Sequence, residues 1–268
     1  MLFQSLAVLT CAALGVSANG AASKRLLFPG PPAGFSSPST DLFYKVPANV
    51  ASYANGAVIN SRPVPTTANA TSVAGSWQVL YRTTDTMGRA DATVATVFAP
   101  RSPVQPAKLL AFQIFEDSAS FDCANSWALV NGGSSGGAFL TGFQVATINS
   151  ALEKGWFVVA PDFEGSRSSF ISGPTEGQAT LDSVRAALNF EQGPDPKGYS
   201  AVIHGYSGGA HATAWAAQLW KTYAPELKLI GAAWGGLPVD PKGLLLSLNK
   251  GLFAVSSHFR FPFPKILD

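Results

Sequence analysis

Apolar and polar positions alternate along Trp77-Gln78-Val79-Leu80-Tyr81-Arg82-Thr83, which predicts a strand. Asp85 to Gly88 supplies turn chemistry, and Ala92-Thr93-Val94-Ala95-Thr96-Val97-Phe98 carries the return strand of a hairpin. Two later runs, Lys108 to Phe115 and Gly155 to Ala160, are almost wholly apolar, the pattern of parallel strands buried on both faces. Between them Thr141 to Lys154 reads as a helix. Thr175 to Gln192 reads as another, with Leu181, Val184, Arg185 and Leu188 at helical spacing and Glu176 near its start. A short β-branched run, Tyr199 to His204, then an Ala-rich helical run, Ala210 to Trp220, and a last apolar run, Leu227 to Ala233, complete the alternation. The last of these is expected to be a buried strand. Residues 26–55 are rich in Pro, Gly, Ser and Asn and read as an extended arm. Strands alternating with helices after an opening hairpin predict an α/β fold with a mostly parallel sheet.

Between the strand ending at His204 and the helix beginning at Ala210 stands Gly205-Tyr206-Ser207-Gly208-Gly209. A G-x-S-x-G turn joining strand to helix forces its serine into a strained backbone conformation with the hydroxyl clear of the sheet. Gly205 and Gly209 are small because a side chain there meets the adjoining strand or helix. Gly133-Ser134-Ser135-Gly136-Gly137 matches the same pattern, but no β-branched run precedes it, and it reads as a loop.

A serine nucleophile needs a base for its proton, an acid to orient that base, and two backbone donors for the charge on the attacked oxygen. The first donor is expected at Gly208, the residue after the nucleophile. The second is expected from the loop after an early central strand, which places it in Phe115-Glu116-Asp117-Ser118, at the amide of Asp117. The base is harder to find among three histidines. His204 lies beneath the turn and is expected to be a satisfied core residue facing away from Ser207. His211 is held to the helix one turn past the serine. His258 stands in the order Ser…Asp…His with Asp240 between, but its surroundings, Ser257 to Pro264, lack a strand to position it. Asp240 and His258 are the candidate partners in chain order. No His, Cys or Asp spacing suits a metal.

Composition narrows the setting. Charged residues make up 13% and hydrophobic ones 47%, so apolar surface that something covers or binds is expected. A net charge of +2 without basic clusters gives no reason to invoke nucleic acid. Leu2 to Val16 is apolar, uncharged and too short to span a bilayer, and Val16-Ser17-Ala18 suits signal cleavage after Ala18. Secretion is therefore expected, with no transmembrane anchor. Lys24-Arg25 reads equally as a dibasic processing site or as two solvated charges. Asn69-Ala70-Thr71 is a glycosylation sequon. Removal of Cys11 with the leader would leave Cys123 without a disulfide partner in this chain, which means a reactive thiol, an intermolecular bond or a missing partner.

Several segments together resemble the secretory lipase family of fungi, the lipase A type of α/β-hydrolase. They include Asp41-Leu42-Phe43-Tyr44, Leu80 to Asp85, Phe112 to Ser118, Gly155 to Gly165, Gly205 to Thr213, Tyr223 to Leu227 and Gly231 to Pro238. The resemblance covers about residues 41–254. It implies a secreted triacylglycerol lipase or esterase acting on lipid at an oil–water interface without cofactor, with Ser207 as nucleophile and the amides of Asp117 and Gly208 as oxyanion hole. It also implies a lid and further strands carrying the catalytic Asp and His, and a disulfide from the position of Cys123 to that later portion; none of these has a counterpart here. The expected organisation is a signal peptide (1–18), an arm (19–55), a partial α/β-hydrolase domain lacking the C-terminal strands and most of the lid (56–254), and a foreign tail (255–268). Val255-Ser256 is what an in-frame splice donor would encode, so a truncated chain of weak or absent activity is expected. Two other readings remain open: a secreted lipid-binding protein or pseudo-lipase that uses the apolar half-sheet, and a different acyl-transfer enzyme on the same elbow.

Overall fold

A computed structural model describes residues 33–130 and 138–248. Seven strands form one sheet: β1 (Val58–Pro63), β2 (Val73–Thr84), β3 (Ala90–Pro100), β4 (Ala107–Gln113), β5 (Phe157–Pro161), β6 (Tyr199–Tyr206) and β7 (Leu229–Gly235). Their spatial order is β1-β2-β3-β5-β4-β6-β7. The first three strands and β5 pair antiparallel along one half, while β5, β4, β6 and β7 run parallel through the other. The predicted hairpin is β2–β3, turned by Asp85, whose side chain accepts from the amides of Met87 and Arg89. Strand β1, rich in Asn, Ser and Arg, was not expected from its sequence.

The helices are α1 (Asn125–Ala128), α2 (Ala138–Glu153), α3 (Gly173–Asn189), α4 (Gly208–Tyr223) and α5 (Pro241–Leu248). Helices α3 and α4 cover one face. Leu181, Val184, Ala187 and Ala216 pack there on Val79, Tyr81, Val97, Leu109, Val159 and Ile203. Helix α2 covers part of the other face, with Val145, Ile148 and Leu152 against Phe98, Leu110, Phe112 and Val158. Alternate residues of β3 and β4 therefore enter opposite layers, which is why their runs are apolar at nearly every position.

Two expectations fail here. Residues 33–55 are not an extended arm but fold back through two 3-10 turns. Phe43, Tyr44 and Val50 pack on Leu80, Ala92 and Val94, while Arg62 pairs with Asp41 at 2.6 Å and lies over the Phe43 ring at 4.2 Å. Strand β7 is not buried either. After Leu229 every residue through Trp234 is exposed, because β7 is the sheet's edge and no described helix covers its outer face. No helix among the described residues is long and apolar enough to cross a membrane.

Candidate active site

The parallel strands all end on one edge, and the candidate residues gather there. Gln113 closes β4 in register with Gly205 of β6, and Tyr206 is in register with Gly235 of β7. The chain then turns through Ser207, whose φ of 54° and ψ of −120° lie in a region that L-residues avoid at a cost on the order of 1–3 kcal/mol. The turn is held from both sides. The Ser207 amide donates to Gly235 O at 3.0 Å, and the Ser207 carbonyl accepts from the amides of Ala210 and His211 as α4 begins. Close approach explains the glycines. A Cβ on Gly205 would stand 2.2 Å from Gly209 O, and one on Gly209 would stand 1.9 Å from Gln113 O. Beneath them Thr213 donates to both Gln113 Oε1 and Gly209 O at 2.8 Å, fixing helix to strand.

The loop after β4 reaches the same point. Asp117, like Ser207, is a left-handed non-glycine, with a φ of 52°, and its Oδ1 lies 2.2 Å from where a Cβ of Gly208 would be. The structure thus brings Ser207, Gly208 and Asp117 together. The loop is tied where it leaves β4. Gln144 of α2 accepts from the Phe115 amide at 3.1 Å, and Asn125 Nδ2 donates to Ile114 O at 2.7 Å. Asp162, just past β5, accepts from the Ser126 amide at 2.7 Å and from its hydroxyl at 2.6 Å, at the end of a donor chain from Gln78 through Tyr44. Burial lifts Asp162 to about 7 against these hydrogen bonds.

Neither described histidine is aimed at Ser207 as a base. His211 Nδ1 is 2.6 Å from Glu176 Oε2, and its Nε2 accepts from Trp215 Nε1 at 3.1 Å. That pattern puts the ring proton on Nδ1 and leaves no nitrogen for Ser207. The expectation of a committed helix residue holds. His204 departs from its expectation. It is half-exposed rather than core, because the face of β6 it shares with Val202 and Tyr206 is only partly covered. Its Nδ1 donates to Ala233 O at 2.9 Å, and its ring stacks on Phe112. Asp240 is exposed and caps α5, accepting from the Gly243 amide at 2.9 Å. His258, like the second G-x-S-x-G around Ser134, lies outside the described residues.

Cys123 corrects the expectation of a cysteine without a disulfide partner in this chain: it is buried and disulfide-bonded. Asn69 is exposed, and its Oδ1 accepts from the Thr71 amide and hydroxyl at 3.0 and 2.9 Å. Sequence reasoning missed the acids behind the loop. Glu116, Glu164 and Glu176 are all buried, and burial pushes each above the ordinary carboxylate range. The one signal was their position inside otherwise apolar or small-residue stretches. Among the described residues no three His, Cys, Asp or Glu side chains have the geometry to hold a metal ion.

The profile of the family described as Secretory lipase matches residues 131–258. Lipase A of Moesziomyces aphidis is 40% identical over 250 residues, which cover 93% of this chain and 52% of that protein. Lipase 5 of Candida albicans is 39% identical over 224 residues, covering 81% and 48%. The X-ray structure of Candida antarctica lipase A in its closed state matches with a TM-score of 0.79 at 39% identity, over 86% of this chain and 55% of that one. The chain spans about half the length of these relatives.

Proposed function

Because this chain belongs to the secretory lipase family and has its α/β-hydrolase fold, we propose that it carries the nucleophile and oxyanion half of a secreted lipase or carboxylesterase. The observation that carries this reading is Ser207 in left-handed backbone at a strand–helix corner, with Asp117 packed on Gly208. In the proposed reaction Ser207 Oγ attacks the ester carbonyl carbon as its proton passes to a base. The oxygen becomes an oxyanion received by the amides of Asp117 and Gly208. Collapse expels the alcohol with a proton and leaves an acyl-serine, which water then hydrolyses to the free acid. The lipase relatives support a lipid ester as substrate, and the reading takes it to be triacylglycerol or a simpler ester at an oil–water interface.

With His204 and His211 committed elsewhere, the chain alone is expected to turn over slowly. Loss of the base from a serine triad costs on the order of 10⁴–10⁶ in kcat. The secreted state is proposed from the leader-like start, and an N-glycan at Asn69 from its exposed Asx turn. The test is hydrolysis of a p-nitrophenyl ester by the full chain beside Ser207→Ala. Turnover in the native chain and none in the variant supports the reading; equal rates sink it. Turnover at the rate of an intact triad would instead bring back Asp240 and His258, and His258→Ala would then have to abolish it. The exposed Tyr206, Ile230 and Trp234 favour one second reading, a lipid-binding protein without catalysis. Lipid binding unaffected by Ser207→Ala, in a chain without turnover, would select it.

A further inference from the structure

Strands β4 and β5 pair in parallel, so the segments that follow them leave the sheet side by side. Each carries a glutamate into the interior, Glu116 at 6% exposed and Glu164 at 2%. Both oxygens of Glu164 are enclosed and lack a partner in good hydrogen-bonding geometry, with the amide of Ser118 the donor turned toward the group. A lone buried carboxylate is a costly state, whereas a neutral carboxyl costs far less and brings a donor of its own. The charges facing Glu164 are all acidic: Glu116 first, then Glu176 of α3 and Asp117. Glu116 in turn faces Asp162, Asp117 and Glu176, and accepts from the Asn125 amide. His211 of α4, a group able to carry positive charge, is bound to Glu176. No metal-binding arrangement exists among these described residues. The compensating charge is therefore a proton.

We propose that Glu164 and Glu116 share one proton, Glu164 donating its O–H to a Glu116 carboxylate oxygen, and that this bridge clamps the loop after β4 to the loop after β5. The clamp fixes Asp117, the next residue along, in the left-handed backbone that presses its carboxylate on Gly208. Glu164 is a positioning residue in this scheme. Its part in catalysis rests on the esterase reading above; the shared proton and the clamp do not. Burial and mutual repulsion hold both groups well above the ordinary carboxylate range, which favours the shared proton. When the proton leaves, two buried anions face each other and the loops part.

The test uses the full chain with Glu164→Gln, Glu116→Gln and Glu164→Leu. A proton kept by the folded protein but released by the unfolded chain above about pH 4.3 makes stability fall as pH rises. Glutamine keeps a donor and cannot ionise. Glu164→Gln and Glu116→Gln are therefore each expected to show a pH dependence of thermal unfolding shallower by about one proton between pH 5 and 9. The native slope in Glu164→Gln overturns the shared proton. Amide exchange of residues 115–120 reads the clamp without needing turnover. It is expected to quicken at least tenfold in Glu164→Leu and, in the native chain alone, as pH rises beyond the intrinsic pH effect. Native exchange in Glu164→Leu overturns the clamp. If that variant does not fold, the same pH dependence surviving in Glu164→Gln overturns it instead. On an aryl ester, above the Ser207→Ala background, Glu164→Leu is expected to lose roughly 10–100-fold in kcat with little change in KM, as a weakened oxyanion donor does. No turnover in the native chain sinks the esterase reading alone, and the unfolding and exchange arms still decide this one.

Discussion

Ser207 is held in place by what its neighbours lack. A methyl group on Gly209 would strike Gln113 O, and one on Gly205 would strike Gly209 O. Both obstacles are backbone atoms anchored in β4 and α4, so neither can move aside as a flexible side chain would. Gly205→Ala and Gly209→Ala are each expected to cost about 1–3 kcal/mol through overpacking. At roughly 2–4 °C per kcal/mol for a domain of this size, Tm falls by several degrees. Gly142→Ala is the control, since its added methyl would meet nothing within 4 Å and would favour helix. Calorimetry that finds Gly209→Ala as stable as Gly142→Ala would show the corner to be looser than the distances say. At this scale the sequence was legible wherever the cause is local. Ser207 and its glycines are named by a strand, a turn and a helix within twenty residues. Glu164 is not, because its meaning depends on Glu116, which arrives from another strand.

Strand β7 shows how an element can be read correctly and its environment wrongly. The apolar run was identified as a strand, and it is one, in register with β6 from Ala201 to Tyr206. Its burial was misjudged, because an apolar run records that something covers it and not what does so. Here Ile230 is 64% exposed and Trp234 46%, on an edge whose outer N–H and C=O groups have no described strand beside them. Such an edge pairs with whatever strand it meets. The full chain is therefore expected to self-associate as its concentration rises. Trp234→Lys and Ile230→Lys are expected to shift it toward monomer by placing desolvated charge in the contact. Light scattering over a concentration series checks this, and association unchanged in both variants would put the adhesive surface elsewhere. Strand β1 is the opposite case: polar and short, it carried too little alternation to be seen, and its place was set by pairing with β2.

Across the whole molecule the acidic residues are divided unevenly between surface and interior. Sixteen acids against eighteen bases suggest ordinary surface charge, and no count could reveal that several acids lie inside. Burial raises Glu116, Asp162, Glu164, Glu176 and Asp182 together, even where Arg185, Tyr223 and Thr83 bond to Asp182 and Ser126 bonds to Asp162. The direction of the effect on stability follows from proton counting. A carboxyl whose folded value is raised stays protonated after its unfolded counterpart has ionised, so its contribution is complete at low pH and is lost as pH rises. For Asp162 the window runs from its ordinary value of 3.8 to about 7. Two acids pull the other way: hydrogen bonds from Arg89 and Met87 lower Asp85, and those from Arg185 lower Glu226. Both are at the surface, where solvent screening leaves such pairs worth little. The interior therefore decides the sign. The chain is expected to unfold at a higher temperature at pH 5 than at pH 8, the reverse of a protein whose carboxylates are held by surface ion pairs. Calorimetry across that range at fixed ionic strength measures it. A Tm that rises from pH 5 to pH 8 would mean that the buried carboxyls are compensated by charges other than protons.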